Sequence, residues 1–88
     1  MREFTVEFAP AAERDLKKID PHLRSQLLHA CKILSLSPYP MQSNRIKLLM
    51  GIVPVHFRLR VQDYRIVYRV EENRVIVVRV AHRKEAYR

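Results

Sequence analysis

The sequence predicts an α+β domain: an N-terminal strand, a helical hairpin, then an antiparallel sheet of about four strands with the helices on one face. Three observations carry this. Phe57, Leu59 and Val61 alternate with His56, Arg58 and Arg60, and Tyr64, Ile66, Tyr68 and Val70 alternate with Arg65, Val67 and Arg69, the period of strands with one buried face. Between Pro10 and Pro40 the apolar spacing is instead that of helices. One Gly in 88 residues, with 48% hydrophobic and 30% charged residues, describes a single packed domain over 1–88.

Taken in order, Phe4, Val6 and Phe8 alternate with Glu3, Thr5 and Glu7 as the first strand. Ala9-Pro10 stops it, and Pro10 suits the first turn of a helix whose Ala12, Leu16 and Ile19 share a face as far as Asp20. Glu13-Arg14-Asp15 and Lys17-Lys18 read as its solvated face. Asp20 then serves as N-cap and Pro21 as first residue of a second helix, whose stripe is Leu23, Leu27, Ala30, Cys31 and Leu34. Pro38 and Pro40 end it. Neither helix hides its stripe alone, so the pair is expected across the apolar face of the sheet. Ser37 to Asn44 reads as a loop, Arg45 to Leu49 as a strand, and Gly51 to Pro54 as a bend or bulge leading to His56.

Gln62-Asp63 predicts a two-residue hairpin loop that sets Val61 opposite Tyr64, Arg60 opposite Arg65 and Arg58 opposite Val67. One face is then apolar, with Tyr64 and Tyr68 in the core, and the other cationic. A like-charge cross-strand pair costs up to about 1 kcal/mol unless an anion lies between its members; the plainer reading is two arginines splayed into water. The register of the third run, Arg74 to His82, is open. A two-residue loop at Glu72-Asn73 puts Arg65 on the face of Val78 and Val80; a three-residue loop with Asn73 left-handed gathers Arg65, Arg79 and Arg83. The second is expected, because a one-residue slip buries arginines.

Seventeen lysines and arginines against nine acids give +8 and a pI near 10.3, which points to a polyanionic partner, nucleic acid above all. Nine of the basic residues and four of the acids lie from His56 onward, so the excess is concentrated in the later strands. The longest apolar run, Leu48 to Val55, is broken by Gly51 and Pro54 and too short to span a membrane. No signal-peptide pattern opens the chain, and a cytoplasmic location is expected. A lone Cys31 in a helix stripe reads as a small core hydrophobe. His22 and His29 lack the further ligands a metal centre needs, and a single Gly excludes a phosphate-cradling glycine loop. No metal and no cofactor are expected.

What remains is a concentration of arginines with His56, His82, Tyr64 and Tyr87 at strand ends. Phosphodiester cleavage needs a base, an acid and cations that hold charge on a pentacoordinate phosphate. Arginine supplies the cation through a planar fork that grips two oxygens. His56 and His82 are candidate proton carriers, Tyr87 a candidate base-stacking residue. The same face also serves RNA or DNA binding without cleavage, and composition by itself favours plain binding.

The run Asp63-Tyr64-Arg65-Ile66-Val67-Tyr68, with His82-Arg83-Lys84-Glu85-Ala86-Tyr87, resembles the RelE/ParE superfamily of toxins from type II toxin-antitoxin modules, the RelE branch more than the gyrase-directed ParE branch. The resemblance implies a microbial-ribonuclease-like fold and a metal-independent, ribosome-dependent endoribonuclease that cuts messenger RNA in the A site, leaving a cyclic phosphate, with 16S rRNA contacts. It implies a cognate antitoxin that covers the toxin, and operator DNA engaged only through their complex. Arg58, Arg65 and Arg83 match the family's phosphate-contacting positions and Tyr87 a substrate-side tyrosine, while His56 stands where such toxins often carry a lysine proposed as base. Either histidine takes that role, or Arg58 and His82 share it. Arg60, Arg79, Lys84 and Arg88 extend the RNA-binding surface. The alternatives are a ParE-like gyrase inhibitor and a non-catalytic module that binds antitoxin and nucleic acid.

Overall fold

The computed structural model describes residues 3–40 and 44–86, in the order β1 (Thr5–Phe8), α1 (Pro10–Lys17), α2 (Pro21–Ile33), β2 (Ile46–Leu49), β3 (His56–Val61), β4 (Tyr64–Glu71), β5 (Arg74–His82) and α3 (Arg83–Ala86). Asp20 caps α2 as its sequence position demands, accepting the His22 and Leu23 backbone N–H groups at 3.1 and 3.4 Å, with Pro21 opening the helix. The Arg24 side chain donates to the Leu16 and Ile19 carbonyls at 2.8 and 2.9 Å, tying the end of α1 to the start of α2.

The sheet has five strands in the order β1-β5-β4-β3-β2. β2 to β5 are antiparallel neighbours, as the alternating runs require, and β1 joins β5 in parallel, which makes the whole sheet mixed. Both helices give their stripes to one sheet face: Ala12, Leu16, Leu27 and Cys31, with Ile19 between the helices and Leu34 just after α2, pack with Phe57, Leu59, Ile66, Tyr68, Val75, Val77 and Val80. Burial pushes the Cys31 thiol up to about 12, which leaves it an inert core group. Tyr68 is fully buried, and its hydroxyl donates to the Pro38 carbonyl at 2.6 Å, pinning the loop after α2 to the sheet. Among the described residues no helix is long and apolar enough to cross a membrane.

The β3–β4 hairpin has the expected register, Val61 opposite Tyr64, Arg60 opposite Arg65 and Arg58 opposite Val67. The β4–β5 connection differs from expectation. Glu71 pairs with Arg74, so the loop is the two residues Glu72-Asn73, and Glu72 (φ 56°) rather than Asn73 is left-handed. The charges nonetheless segregate, by another device. Val67 pairs with Arg79 and Tyr68 with Val77, so Val78 is an extra residue in β5. This bulge resets the alternation: Val75 and Val77 face the core before it, Val80 after it, and Arg79 stays on the open face.

A left-handed conformation strains any residue with a Cβ. Replacing Glu72 by Gly is therefore expected to stabilise the domain by about 0.5–1 kcal/mol, seen as a thermal midpoint several degrees higher in a calorimetric scan.

Candidate functional site

On the open face the charges divide between the two ends of the sheet. At one end Arg69 bonds Glu71, and Arg74 bonds Glu7 and Glu71 at 3.2 and 3.4 Å. The Arg69 hydrogen bond, aided by the charges of Arg69 and Arg74 and opposed by desolvation, holds the Glu71 carboxyl below its ordinary value. This end is internally neutralised.

The other end is a basic groove of about 560 Å³ lined by Arg45, Arg60, Gln62, Arg65 and Arg83, continued by a cavity of about 230 Å³ that adds Lys47 and Arg58. No acidic side chain among the described residues lines either part. The strands dictate this. Lys47 pairs with Arg58 and Arg60 with Arg65 across neighbouring strands, so four cations share one patch of one face. The Arg45 carbonyl takes the Arg60 N–H at 2.9 Å, which brings a fifth alongside. Arg65 bends back to the Gln62 and Tyr64 carbonyls at 3.2 and 3.0 Å and braces the hairpin turn. Arg83 opens α3, its N–H on the Asp63 carbonyl at 2.6 Å and its Nε 3.8 Å from the Asp63 carboxylate at the rim.

Arg58, Arg60, Arg65 and Arg83 are thus brought together as the sequence suggested. Arg79 shares the face but not the groove; its guanidinium grips Asp15 of α1 at 2.8 and 3.2 Å. Asp15 also takes the Val80 N–H at 2.8 Å, where β1 has ended and β5 would otherwise present an open edge. The solvated face read for α1 is corrected here. Asp15, spaced one turn from Ala12 and Ile19, turns toward the sheet and acts as a tie.

The two histidines are not brought together. His56 pairs with Arg69 and His82 with Tyr64, five positions apart along β4, about 16 Å at the usual rise. They also lie on opposite faces. His82 packs edge-on against Tyr64 at 5.5 Å on the core side, and His56 Nδ1 lies 2.6 Å from the Pro54 carbonyl. Neither lines the groove. Lys84, exposed on α3, is not among the residues that line it, and Tyr87 and Arg88 lie outside the described residues. Among the described residues no group of three His, Cys, Asp or Glu side chains is placed to hold a metal ion.

Sequence reasoning missed Arg45 and Lys47. The signal was present: they alternate with Ile46 on a strand that must run antiparallel to Arg58-Leu59-Arg60, so burying Ile46 sends both cations to the arginine face.

Residues 6–87 match the family described as ParE toxin of type II toxin-antitoxin system, parDE. The chain is a type II toxin of the RelE/ParE superfamily. This toxin is 32% identical to Toxin RelG of Mycobacterium tuberculosis over 97% of each chain. Its fold superposes on the RelBE2 toxin-antitoxin complex of the same organism with a TM-score of 0.79 at 29% identity, covering 91% of this chain and 98% of that one. The RelB-RelE antitoxin-toxin complex of Methanococcus jannaschii gives 0.73 at 30% identity, over 92% and 94%.

Burial by itself would raise the Asp15 carboxyl; the Arg79 bond, the Val80 N–H and the charges of Arg79 and Lys18 outweigh it and hold the group below its ordinary 3.8. A lowered folded-state value means stability present above that pH and lost as pH falls through the folded value. Urea unfolding at pH 7 and pH 3 is expected to show a smaller loss of stability on acidification in Asp15→Asn than in the unaltered toxin.

Proposed function

We propose that this toxin is a metal-independent, ribosome-dependent endoribonuclease that cuts messenger RNA in the A site and so inhibits translation. The observation that carries the reading is the basic groove: six cationic side chains on one end of one sheet face, with no acid among the described residues that line it. Such crowding is unfavourable until a polyanion enters, and arginine forks match phosphate oxygens two at a time. Arg58, Arg60 and Arg65 would hold the scissile phosphate and the charge that builds on it when the 2′-hydroxyl attacks phosphorus and the 5′-oxygen leaves. The product is a cyclic phosphate.

An arginine does not release its proton in a protein, so it cannot serve as the base. The groove's one lysine, Lys47, stands beside Arg58 and takes the proton-exchange role that the sequence offered to His56 or His82. Tyr87 keeps the substrate-side role that the family resemblance implies. The RelBE2 and RelB-RelE structures are toxin-antitoxin complexes, which supports a cognate antitoxin as partner. Messenger RNA with its 16S rRNA surroundings is the substrate, and operator DNA is met only through the antitoxin complex. A second reading, inhibition of DNA gyrase, is favoured by the ParE description of the matching family; it acts by protein contact and uses no proton-transfer residue.

Primer extension on a defined message in a translating extract decides between them. Cuts within codons, on translated message alone, are expected from the unaltered toxin, and Arg60→Ala is expected to reduce them by about 100-fold, with Tyr87→Phe reduced as well. An intact message together with lost supercoiling by gyrase would establish the second reading. Lys47→Ala is expected to reduce single-turnover cleavage by about 100-fold, and Lys47→Arg equally, because restoring the charge does not restore the proton; recovery in Lys47→Arg would reduce Lys47 to an electrostatic role.

A further inference from the structure

Arg83 reaches the basic groove from α3, whereas Lys47, Arg58, Arg60 and Arg65 reach it from strands. Its place therefore depends on where that helix starts. A helix start leaves backbone N–H groups without partners inside the helix, and two of them are met here by named atoms. The Arg83 N–H donates to the Asp63 carbonyl of the β3–β4 turn at 2.6 Å, and the Lys84 N–H donates to His82 Nδ1 at 3.3 Å. His82 thus holds the cap position of α3, its side chain accepting from the second helical residue as Ser, Asn and Asp caps do. Tyr64 stands directly opposite across the strands and packs edge-on against the imidazole at 5.5 Å, which fixes the ring.

We propose that His82 is a positioning residue: as a neutral cap its Nδ1 fixes the start of α3 and so holds Arg83 in the groove. The proposal rests on reading the groove as the phosphate site, and it gives His82 a part in the reaction without contact with substrate. An imidazole accepts at Nδ1 only when that nitrogen bears no proton, so the ring's one proton is on Nε2. The imidazolium carries N–H on both nitrogens and turns a donor toward the Lys84 donor. The charged and titratable groups around the ring are Tyr64 and Arg65 of β4, Asp63 of the turn, with its carboxylate 3.8 Å from Arg83 Nε, and Arg83 and Lys84 of α3. From α1 comes Asp15, engaged by Arg79 and the Val80 N–H, with Lys18 near it. Acidification that protonates His82 therefore frees the start of α3, and Arg83 with it.

Two substitutions separate the cap from the ring. His82→Asn keeps a side-chain acceptor and removes the ring and its titration, whereas His82→Phe keeps a ring for Tyr64 and removes the acceptor. Single-turnover cleavage on programmed ribosomes at pH 8 is expected within twofold of the unaltered toxin in His82→Asn. In His82→Phe it is expected to be about fivefold lower, the scale of one helix cap. Between pH 8 and pH 5.5 the unaltered toxin is expected to lose about fivefold more activity than His82→Asn, since Lys47 is common to both. A fall in His82→Asn as large as in His82→Phe, no fall in His82→Phe, or parallel pH profiles for His82→Asn and the unaltered toxin would overturn the proposal. Nitrogen-15 NMR of the full-length toxin scores the cap apart from cleavage. The His82 proton is expected on Nε2 at pH 8, with a Lys84 amide shift that follows the titration of the ring; a proton on Nδ1 refutes the cap, whatever the toxin cuts. A toxin with the proton on Nε2 that cuts no message refutes the nuclease alone, and affinity for a short single-stranded RNA then replaces cleavage as the readout for the same two variants.

Discussion

The extra residue in β5 is the constraint on which the charge arrangement depends. A strand alternates with a period of two, so any uninterrupted pairing of β4 with β5 that buries Val75 and Val77 also turns Arg79 toward the core and Val80 toward solvent. Val78 absorbs one residue without a partner and reverses the phase. Val80 then joins Ile66 in the core while Arg79 emerges on the open face. Beyond the bulge Ala81 lies opposite Arg65, a small side chain beside the arginine patch, and the chain leaves β5 where Arg83 reaches the groove.

The open face is thereby polarised along its strands. Glu7 and Glu71 neutralise Arg69 and Arg74 at one end, so that end is a closed surface network of modest energetic weight. At the other end Arg45, Lys47, Arg58, Arg60, Arg65 and Arg83 crowd a groove without an acid among the described lining residues. Like charges gathered on one face repel one another, and the proposed anionic substrate would relieve that. The helices stabilise this arrangement from behind. Their apolar stripes bury the other sheet face, and Asp15 reaches around the end of β1 to take Arg79 and the Val80 N–H. The acid of α1 that holds Arg79 out of the groove is thus also the group that seals a sheet edge.

The placement of the histidines shows how strongly register governs chemistry. Histidine is the residue type most often used for acid-base work, yet His56 sits at the start of β3 and His82 at the end of β5, on opposite faces. Lys47, less conspicuous as a residue type, stands among the groove arginines because β2 pairs with β3. Residue chemistry proposes candidates; pairing decides which of them share a groove.

Much of this toxin was legible in its residues. The period-two runs, Asp20-Pro21 at the start of α2, the apolar helix stripes and the Gln62-Asp63 hairpin are local signals, each expressed within a few residues, and α+β class, helical hairpin, β3–β4 register and basic face follow from them. The Asp63–Tyr68 and His82–Tyr87 segments likewise carried the superfamily. What lies between distant segments was not legible. The bulge at Val78 and the left-handed Glu72 replaced a three-residue loop that satisfied the same burial requirement, because alternation constrains faces and leaves the means of reaching them free. The Asp15–Arg79 tie, the recruitment of Arg45 and Lys47, and the parting of His56 from His82 depend on contacts between segments tens of residues apart. Sequence order determined which side chains exist and which face of its own element each would take; only the packing of strands and helices against one another decided which of them meet.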